Sequence, residues 1–351
     1  MQRAKKIKKQ YLRSIKKERR RKMKGSNPSF KKTKKKKNAR MNKKKPFVLM
    51  EGGAHAREWI SPAVATYLAQ QLADSGASFL RRVTVVLVPL LNPDGYEFSH
   101  TDDRMWRKNR RVNADSSCRG VDLNRNFGKA FGKPSGSSKN PCSEIYHGAQ
   151  EFSEPEASAL RDLAEVLKDD INIYFSLHSY GKYILYPWSY ISASAPTRIQ
   201  LRNIAKTMSK YFRSNGYKGF QHGQSSILYK AAGVSDDYMY SLGVEYTYTI
   251  ELQGLDFIMN PKHIVPVSEA MWNVLVCSIG DISKVKQIQN FCGKQLVKTR
   301  LGDGTLVSGW FKKGVDVKKA EQVIRCRHRA KKGRQSHSVD GRCGSEKLGN
   351  E

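Results

Sequence analysis

The stretch EGGAHAREWISP at residues 51–62 decides the fold, because it joins a strand-like run to the start of a helix. The apolar run FVLM at residues 47–50 precedes it, and Ser-Pro at residues 61–62 is typical of an N-cap followed by the first helical position. We therefore expect His55 and Glu58 to lie just beyond the carboxyl end of a strand. A lone His-x-x-Glu pair is common by chance, so metal binding and two polar residues at a strand end both remain open at this point.

Apolar runs of strand length recur along the chain and alternate with segments of helical periodicity. This alternation predicts an α/β domain with a mixed, mostly parallel central sheet and helices on both of its faces. In such sheets, ligands bind beyond the carboxyl ends of the strands. The predicted strands lie in residues 47–50, 83–91, 171–177, 182–186 and 246–252.

Polar residues follow two more of these strands. His178 comes directly after the run at residues 171–177, and Glu251 lies at the end of YTYTI. His55, His178 and Glu251 are thus expected to converge at one edge of the sheet. Two histidine nitrogens and one carboxylate, with the fourth position open, are typical of a catalytic zinc site, whereas a structural site is closed by four protein ligands.

Charge divides the chain into three parts. The sequence carries a formal net charge of +33, yet the first 45 residues contain 23 Lys or Arg and one Glu, and residues 286–351 contain 16 basic and six acidic residues. We therefore predict a basic disordered extension at residues 1–45, a globular domain at 46–285 and a basic C-terminal extension of unknown structure at 286–351. No apolar run is long enough to span a membrane. The N-terminus lacks the apolar core of a signal peptide.

The basic extensions suggest a second class of function. A run such as KKTKKKKNAR at residues 31–40 could bind nucleic acid or an anionic surface. The alternative is a solvated tail without a partner. Cys292, Cys326 and Cys343 lie near His328, but their irregular spacing matches no zinc-ligand pattern.

Five motifs occur in a defined order along the chain: HAREWISP, NPDGYEFSHTDDRMWRKNR, GVDLNRNF, SLHSY and YTYTIEL. Together, over residues 46–282, they resemble the zinc metallocarboxypeptidases of the pancreatic carboxypeptidase A and B family. The resemblance implies a zinc carboxypeptidase-like fold, one bound zinc ion, and hydrolysis of the C-terminal peptide bond of peptides and proteins. It also favours an extracellular location, which the missing signal peptide does not support. We expect a monomer.

The resemblance assigns catalytic roles to five residues. It implies that His55, Glu58 and His178 are the zinc ligands. Glu251 matches the family's general base, which takes a proton from water and delivers one to the leaving amine. Arg107, in MWRKNR, matches the residue that stabilises the tetrahedral oxyanion, although a solvated basic loop is the alternative for this arginine-rich stretch.

The resemblance also assigns residues that support the zinc site or bind substrate. Asp122 matches the carboxylate that orients the first histidine ligand. Asn124 and Arg125 match the clamp for the free C-terminal carboxylate, which guanidinium binds in a bidentate manner. Tyr229 matches the mobile tyrosine that covers the bound C-terminal residue. The outer substrate subsites correspond to Arg57 and Tyr180.

Specificity depends on the stretch GVSDDYMY. Asp236 falls where the family places the residue at the bottom of the pocket for the C-terminal side chain, and an acid there favours Lys or Arg, as in the B-type enzymes. Two alternatives remain: either Asp236 or Asp237 is a helix N-cap, and Gln224 stands where B-type enzymes usually keep a small residue.

The resemblance also bears on the cysteines and on elements of the family fold that this sequence does not show. Cys118 and Cys142 match the family's disulfide, whereas Cys277, in an apolar helix, is expected to be a buried thiol. The family's first helix and two edge strands are not recognisable before the first motif, which predicts an exposed sheet edge. The segment LQGLDFIMNP after Glu251 is also shorter than in the family. These departures leave open an inactive pseudoenzyme that binds C-terminal peptides.

Overall fold

The structure, a computed structural model, describes residues 45–332 with gaps at 75–78, 135, 303 and 313–314. The chain divides at residue 45, and the described residues all belong to the second unit. The predicted basic extension at residues 1–45 therefore lies, except for Lys45, outside the described residues. The end of the predicted C-terminal extension, from residue 333, also lies outside them.

A mixed six-stranded sheet forms the centre of the described unit. Its strands are β1 (Phe47–Gly52), β2 (Thr84–Val88), β3 (Ile173–Ser179), β4 (Tyr183–Tyr186), β5 (Gln221–Gln224) and β6 (Tyr246–Leu252). The order across the sheet is β2-β1-β3-β6-β4-β5. Every neighbouring pair is parallel except β4 and β6. The predicted mixed, mostly parallel sheet is confirmed.

The sequence did not indicate β5, whose residues QHGQ contain no strong strand former. Its hydrogen bonds to β4 hold it at the edge of the sheet. At the opposite edge lies β2, all of whose residues are half-buried. Within the described residues the sheet ends at β2.

Helices pack on the sheet and supply most of the apolar core. They are α1 (Ile60–Asp74), α2 (Pro93–Thr101), α3 (Pro155–Leu167), α4 (Arg198–Ser214), α5 (Ser235–Ser241), α6 (Ile264–Ser283) and α7 (Lys286–Gln289). The largest cluster of buried side chains joins α1, α4 and α6 to one face of the sheet. Among the described residues, no helix combines the length and the apolar character that crossing a bilayer requires.

The central strand β3 is buried along its whole length, because both of its faces are covered. Phe175 packs into the main core beneath the helices. On the opposite face, Tyr174 and Ser176 donate hydrogen bonds to Oε1 of Glu51 on the neighbouring strand. A polar cluster therefore lies on this second face of the sheet, close to the carboxyl ends of its strands.

The start of α1 differs from the prediction. The helix begins at Ile60, so Ser61 is not its N-cap. Instead, the Ser61 hydroxyl donates to the carbonyl of Leu177 and accepts the N–H of Gly53 at 2.9 Å. Ser61 thus fastens the beginning of α1 to the ends of β1 and β3, where the predicted ligands lie.

The chain after α6 forms a small separate module. Strands β7 (Lys294–Arg300) and β8 (Leu306–Lys312) pair antiparallel, and helix α8 (Val317–Lys332) covers the pair. Val297, Phe311, Ala320 and Ile324 form its buried core. Folded structure was not predicted for this part of the chain.

The prediction that Cys277 is a free thiol is wrong. Cys277 forms a disulfide with Cys292, at a Cα–Cα distance of 4.6 Å. The left-handed backbone of Lys284, at φ 51°, ends α6 and turns the chain back on itself. Gln289 of α7 then packs directly against Gly280 of α6. This reversal brings together two cysteines whose sequence spacing gave no indication of pairing.

Candidate metal centre and active site

A tight turn after β1 carries the first two predicted ligands. Gly53 has φ +69°, and a Cβ atom there would lie 2.7 Å from the Leu90 side chain, so the turn requires glycine. The Glu58 N–H then donates to the His55 carbonyl at 3.2 Å. This local fold points both side chains toward the end of β3, where His178 lies.

His55, Glu58 and His178 form one buried cluster, with 4%, 3% and 1% of their surfaces exposed. The Glu58 carboxylate lies 2.8 Å from His55 Nδ1 and 3.0 Å from His178 Nδ1, and the two Nδ1 atoms are 3.1 Å apart. The potential ligand atoms of all three residues lie within 4.8 Å of one another. Two imidazole nitrogens and a carboxylate oxygen that converge in this way fit a zinc ion with an open fourth position.

The charges in this cluster are strongly coupled. Burial alone would raise the pKa of Glu58, but the positive charges of His55 and His178 hold it well below its ordinary value. Burial opposes charge on His178 as well, yet the carboxylate of Glu58 raises the pKa of His178 to about 9. The Glu58 carboxylate therefore stays ionised and favours a positive charge beside it, which protons on the imidazoles or a metal ion bound in their place can supply.

Asp122 connects the metal cluster to Arg107. Its Oδ1 atom lies 3.0 Å from His55 Nε2, and its Oδ2 accepts hydrogen bonds from Nε and Nη2 of Arg107 at 3.1 and 2.9 Å. Burial would raise the pKa of Asp122, but Arg107 and His55 hold it well below its ordinary value. The ionised carboxylate thus orients His55 so that Nδ1 faces the cluster.

Arg107 is a buried arginine, with 9% of its surface exposed. Burial opposes its charge, but Asp122 and Glu58 raise its pKa above the ordinary value. Its Nη1 lies 4.0 Å from Oε1 of Glu58, so the guanidinium is beside the metal cluster. This placement argues against the solvated basic loop considered for the sequence.

Glu251 lies opposite His178 in the register of β6 and β3. Its side chain is half-buried and lines a cavity of about 40 Å³ that opens to solvent. Burial raises its pKa to about 7, with His178 opposing the shift and Glu58 adding to it. Four residues that were predicted to bind substrate line the same cavity, namely Asn124, Arg125, Tyr229 and Asp236.

A sequence profile described as zinc carboxypeptidase matches residues 19–274 of the chain. The chain belongs to the zinc carboxypeptidase family. Carboxypeptidase B from Helicoverpa zea is 36% identical over 247 residues, which cover 66% of this chain and 57% of the relative. Carboxypeptidase A2 from Mus musculus is 36% identical over 238 residues, which cover 65% of this chain and 57% of the relative. The chain thus spans 57% of the length of each of these curated relatives.

A solved structure supports the same assignment. Bovine thrombin-activatable fibrinolysis inhibitor, in complex with tick carboxypeptidase inhibitor, superimposes with a TM-score of 0.66 and 33% identity. The match covers 68% of this chain and 83% of that one. Because the carboxypeptidase family has zinc as its metal, the cluster of His55, Glu58 and His178 is its zinc site.

Asn124 and Arg125 lie side by side at the cavity wall of this carboxypeptidase domain. The Asn124 side chain accepts the Ser235 N–H at 2.9 Å, and its Nδ2 is 3.5 Å from His178 Nε2. The Arg125 guanidinium donates to the main-chain carbonyls of Gly136 and Asn124, at 2.5 and 2.7 Å. Both side chains are therefore held in place by the main chain.

Asp236 and Asp237 occupy the first turn of α5, but neither is its N-cap, which is Val234. Asp236, with 2% of its surface exposed, lines the cavity, and its Oδ2 is 3.5 Å from the Ser225 hydroxyl. Asp237 is fully buried and does not line the cavity, because its carboxylate accepts the Ser189 N–H instead. Burial raises the pKa of Asp236, and burial together with the charge of Asp236 raises that of Asp237.

An aromatic contact marks the outer end of the site. The Cζ atom of Arg57 lies 4.5 Å from the ring centroid of Phe257. The Tyr180 ring packs edge-on against the same ring, with the two ring centroids 5.0 Å apart. Phe257 was missed in the sequence because the segment after Glu251 is shortened. Tyr229 is 59% exposed at the cavity mouth.

A disulfide between Cys118 and Cys142 is present, as predicted.

Proposed function

We propose that this chain is a zinc-dependent carboxypeptidase that removes single residues from the C-terminus of peptides, with a preference for Lys or Arg. The observation that carries the proposal is the cavity lined by Glu251, Arg125 and Asp236, in which Glu251 pairs in the sheet register with the zinc ligand His178. A candidate base, a carboxylate-binding group and an acidic pocket residue thus line one cavity next to the metal site.

His55, Glu58 and His178 would hold the zinc ion. When bound, zinc acts as a Lewis acid that polarises a carbonyl and lowers the pKa of water. Asp122 keeps His55 in the ring orientation that this ligand set requires, since it occupies the other ring nitrogen.

Glu251 would act as the general base. Its carboxylate would accept a proton from the attacking water and return one to the nitrogen of the leaving amine. A pKa near 7 lets the same carboxyl group take up and release a proton close to neutral pH. Glu251 lies across from His178 on the next strand and lines the cavity, which supports this role.

Arg107 would stabilise the negative charge that develops on the carbonyl oxygen. Its guanidinium is held by Asp122 on one side and lies beside the metal cluster on the other. A preoriented donor of this kind costs no reorganisation during the reaction.

Asn124 and Arg125 would bind the terminal carboxylate of the substrate, and Tyr229 would cover it. A carboxylate in contact with guanidinium accepts two parallel hydrogen bonds, which explains selection for a free C-terminus. Arg57 and Tyr180 would contact residues further from the scissile bond, together with Phe257.

Asp236 supports the preference for Lys or Arg. A buried carboxylate in the pocket pairs favourably with a cationic side chain and leaves an apolar one with an unpaired acid. The relatives include carboxypeptidases of both the A and the B type, so the preference rests on Asp236 itself.

The test is release of the terminal amino acid from two peptides that differ only in ending with Arg or Phe, each with and without a zinc chelator. We expect chelator-sensitive release that is faster for the Arg peptide. Faster release from the Phe peptide would retain the enzyme and overturn the pocket assignment. No release by folded, zinc-loaded protein would favour the pseudoenzyme.

A second candidate function concerns the module formed by β7, β8 and α8. Residues 294–332 contain 12 Lys or Arg and three Asp or Glu, and Arg300, Lys312, Lys318 and Lys319 are exposed. We propose that this module binds nucleic acid without sequence preference. Binding of a fluorescent DNA oligonucleotide should weaken steeply with salt and decrease on truncation after residue 293, which keeps the disulfide of Cys277. Unchanged binding after truncation would exclude the module.

A further inference from the structure

One wall of the cavity is a short loop between β4 and α4, residues 188–193, which we call the strap. The strap contributes Ser189 to the cavity lining, and 3% of the surface of Ser189 is exposed. A wall made of loop must be held by its neighbours to keep a defined cavity width. Two buried side chains, Asp237 and Gln224, hold the strap.

Asp237 holds the N–H groups of the strap. Its two carboxylate oxygens each accept the Ser189 N–H at 2.9 Å, and one of them accepts the Tyr190 N–H at 3.2 Å. This use of Asp237 explains why two adjacent acids occur in the sequence. Asp236 faces the cavity, and Asp237 faces the main chain that bounds it.

Gln224 holds the carbonyl groups of the same strap. Its Nε2 lies 3.2 Å from the carbonyl oxygen of Trp188 and 3.0 Å from those of Ile191 and Ala193. The same nitrogen lies 3.0 Å from the Ser226 hydroxyl oxygen, and because it has two protons, the four acceptors share them. The side chain, with 7% of its surface exposed, points into the strap and away from the cavity.

We propose that Gln224 is a positioning residue for substrate specificity, which fastens the strap and leaves the space above Asp236 open to a long cationic side chain. The inference rests on the proposed function of the cavity. Gln224 replaces the small residue expected in a B-type enzyme without filling the pocket, because the three carbonyls bind its amide. A side chain of this size without a donor would leave the Ile191 and Ala193 carbonyls without this hydrogen bond, whereas the Trp188 carbonyl would keep the Ser226 N–H at 3.3 Å, and the side chain would be free to turn into the cavity.

The experiment compares Gln224→Glu with Gln221→Glu, the same change at an exposed glutamine of the same strand. L-arginine and L-phenylalanine serve as probes, because each carries the terminal carboxylate and one side chain, and their binding to zinc-loaded protein needs no turnover. In Gln224→Glu, three carbonyls would face a carboxylate. We expect L-arginine to bind about tenfold more weakly, with a smaller change for L-phenylalanine. Gln221→Glu should match the wild type.

Hydrogen exchange of a peptide that covers the strap supplies the second readout. Exchange of the Ser189 and Tyr190 amides should accelerate in Gln224→Glu and in Gln224→Met, and not in Gln221→Glu. In peptide cleavage, the loss should appear in KM for a C-terminal Arg, with kcat nearly unchanged, because the strap does not touch the reacting bond. Gln224 variants with wild-type probe binding and exchange would overturn the inference.

Failure of the proposed function would look different. A wild-type protein that binds L-arginine in preference to L-phenylalanine but cleaves no peptide would be a pseudoenzyme whose pocket still depends on Gln224. A wild type that prefers L-phenylalanine would overturn both the acidic pocket and the role of Gln224 in keeping it open.

Discussion

Asp122 lies between His55 and Arg107 and gives one carboxylate oxygen to each, at 3.0 Å from His55 Nε2 and 2.9 Å from Arg107 Nη2. A single fully buried acid therefore sets the orientation of a zinc ligand and the position of Arg107, the proposed oxyanion donor. The N–H of Asn124 also donates to it at 3.0 Å, which couples the proposed carboxylate clamp to the same residue. Metal affinity and transition-state stabilisation should consequently fail together when Asp122 is changed.

Asp122→Asn should test this coupling. An amide has the size of the acid but lacks its charge, so it holds His55 less firmly and leaves Arg107 without its counter-ion. We expect zinc affinity to fall by about 10- to 100-fold, and kcat/KM to fall even at saturating zinc. Competition with a chromophoric chelator measures the first effect. Asp115→Asn, at an exposed position in the same region, is the matched control. Wild-type zinc affinity in Asp122→Asn would contradict the orienting role.

Arg107→Lys should separate catalysis from binding. Lysine keeps the positive charge but cannot donate to both Asp122 and a developing oxyanion through one planar group. We expect kcat to fall by about 100-fold with little change in KM, because the interaction is made in the transition state. Steady-state kinetics on the Arg-terminated peptide measure both constants, and Arg119→Lys, at an exposed position, is the control. A change confined to KM would assign Arg107 to ground-state binding.

The sequence predicted the parts of this molecule that depend on local pattern. Buried strands such as β3 and β6 read as nearly continuous apolar runs, and the polar residues at their ends fell together at the carboxyl edge, as parallel pairing requires. The orientation of a side chain is not encoded locally. The sequence identified the position of Gln224 but not the direction of its side chain, because that direction depends on three carbonyls of the strap, which is distant in sequence. The pairing of Cys277 likewise depends on a chain reversal after α6.

Asp236 should make binding of a cationic C-terminus depend on pH. Burial raises the pKa of Asp236, so in the empty protein this acid ionises at a higher pH than an exposed aspartate does. A guanidinium favours the ionised form, and binding should therefore tighten as pH rises through the raised pKa. We expect KM for the Arg peptide to fall with increasing pH while KM for the Phe peptide stays level, and Asp236→Asn to abolish the difference. Parallel pH profiles for both peptides would contradict contact between Asp236 and the substrate.

The disulfide of Cys277 and Cys292 should stabilise the end of the carboxypeptidase domain. It closes a loop across 15 residues, for which the chain-entropy model gives about 3 kcal/mol. We expect the Cys277→Ala, Cys292→Ala double variant to unfold at lower denaturant concentration while zinc affinity stays unchanged, since neither cysteine is near the ligands. Denaturation followed by tryptophan fluorescence, in parallel with zinc titration, checks both statements. Equal stability of the variant and the wild type would mean that the chain reversal after α6 is stable without the disulfide.

The buried carboxyl group of Glu51, near the zinc site, should lower the free energy of unfolding when it is ionised. It is fully buried, its Oε1 accepts hydrogen bonds from Tyr174 and Ser176, and its Oε2 lacks a hydrogen-bond partner within the described part of the chain. Burial raises its pKa above the ordinary value of 4.5, with His178 partly opposing the shift. The folded state therefore favours the protonated form more than the unfolded state does.

The sign of the pH effect follows from this difference. An acid with a raised folded-state pKa contributes full stability below its unfolded pKa, and that stability decreases as pH rises through the folded value. Glu51→Gln keeps the shape without the charge, so it should be more stable than the wild type by about 1–3 kcal/mol at pH 8 and equally stable near pH 4. Urea unfolding of both proteins across this pH range, in metal-free buffer, measures the difference. A constant difference at every pH would show that packing, and not the buried charge, separates the two proteins.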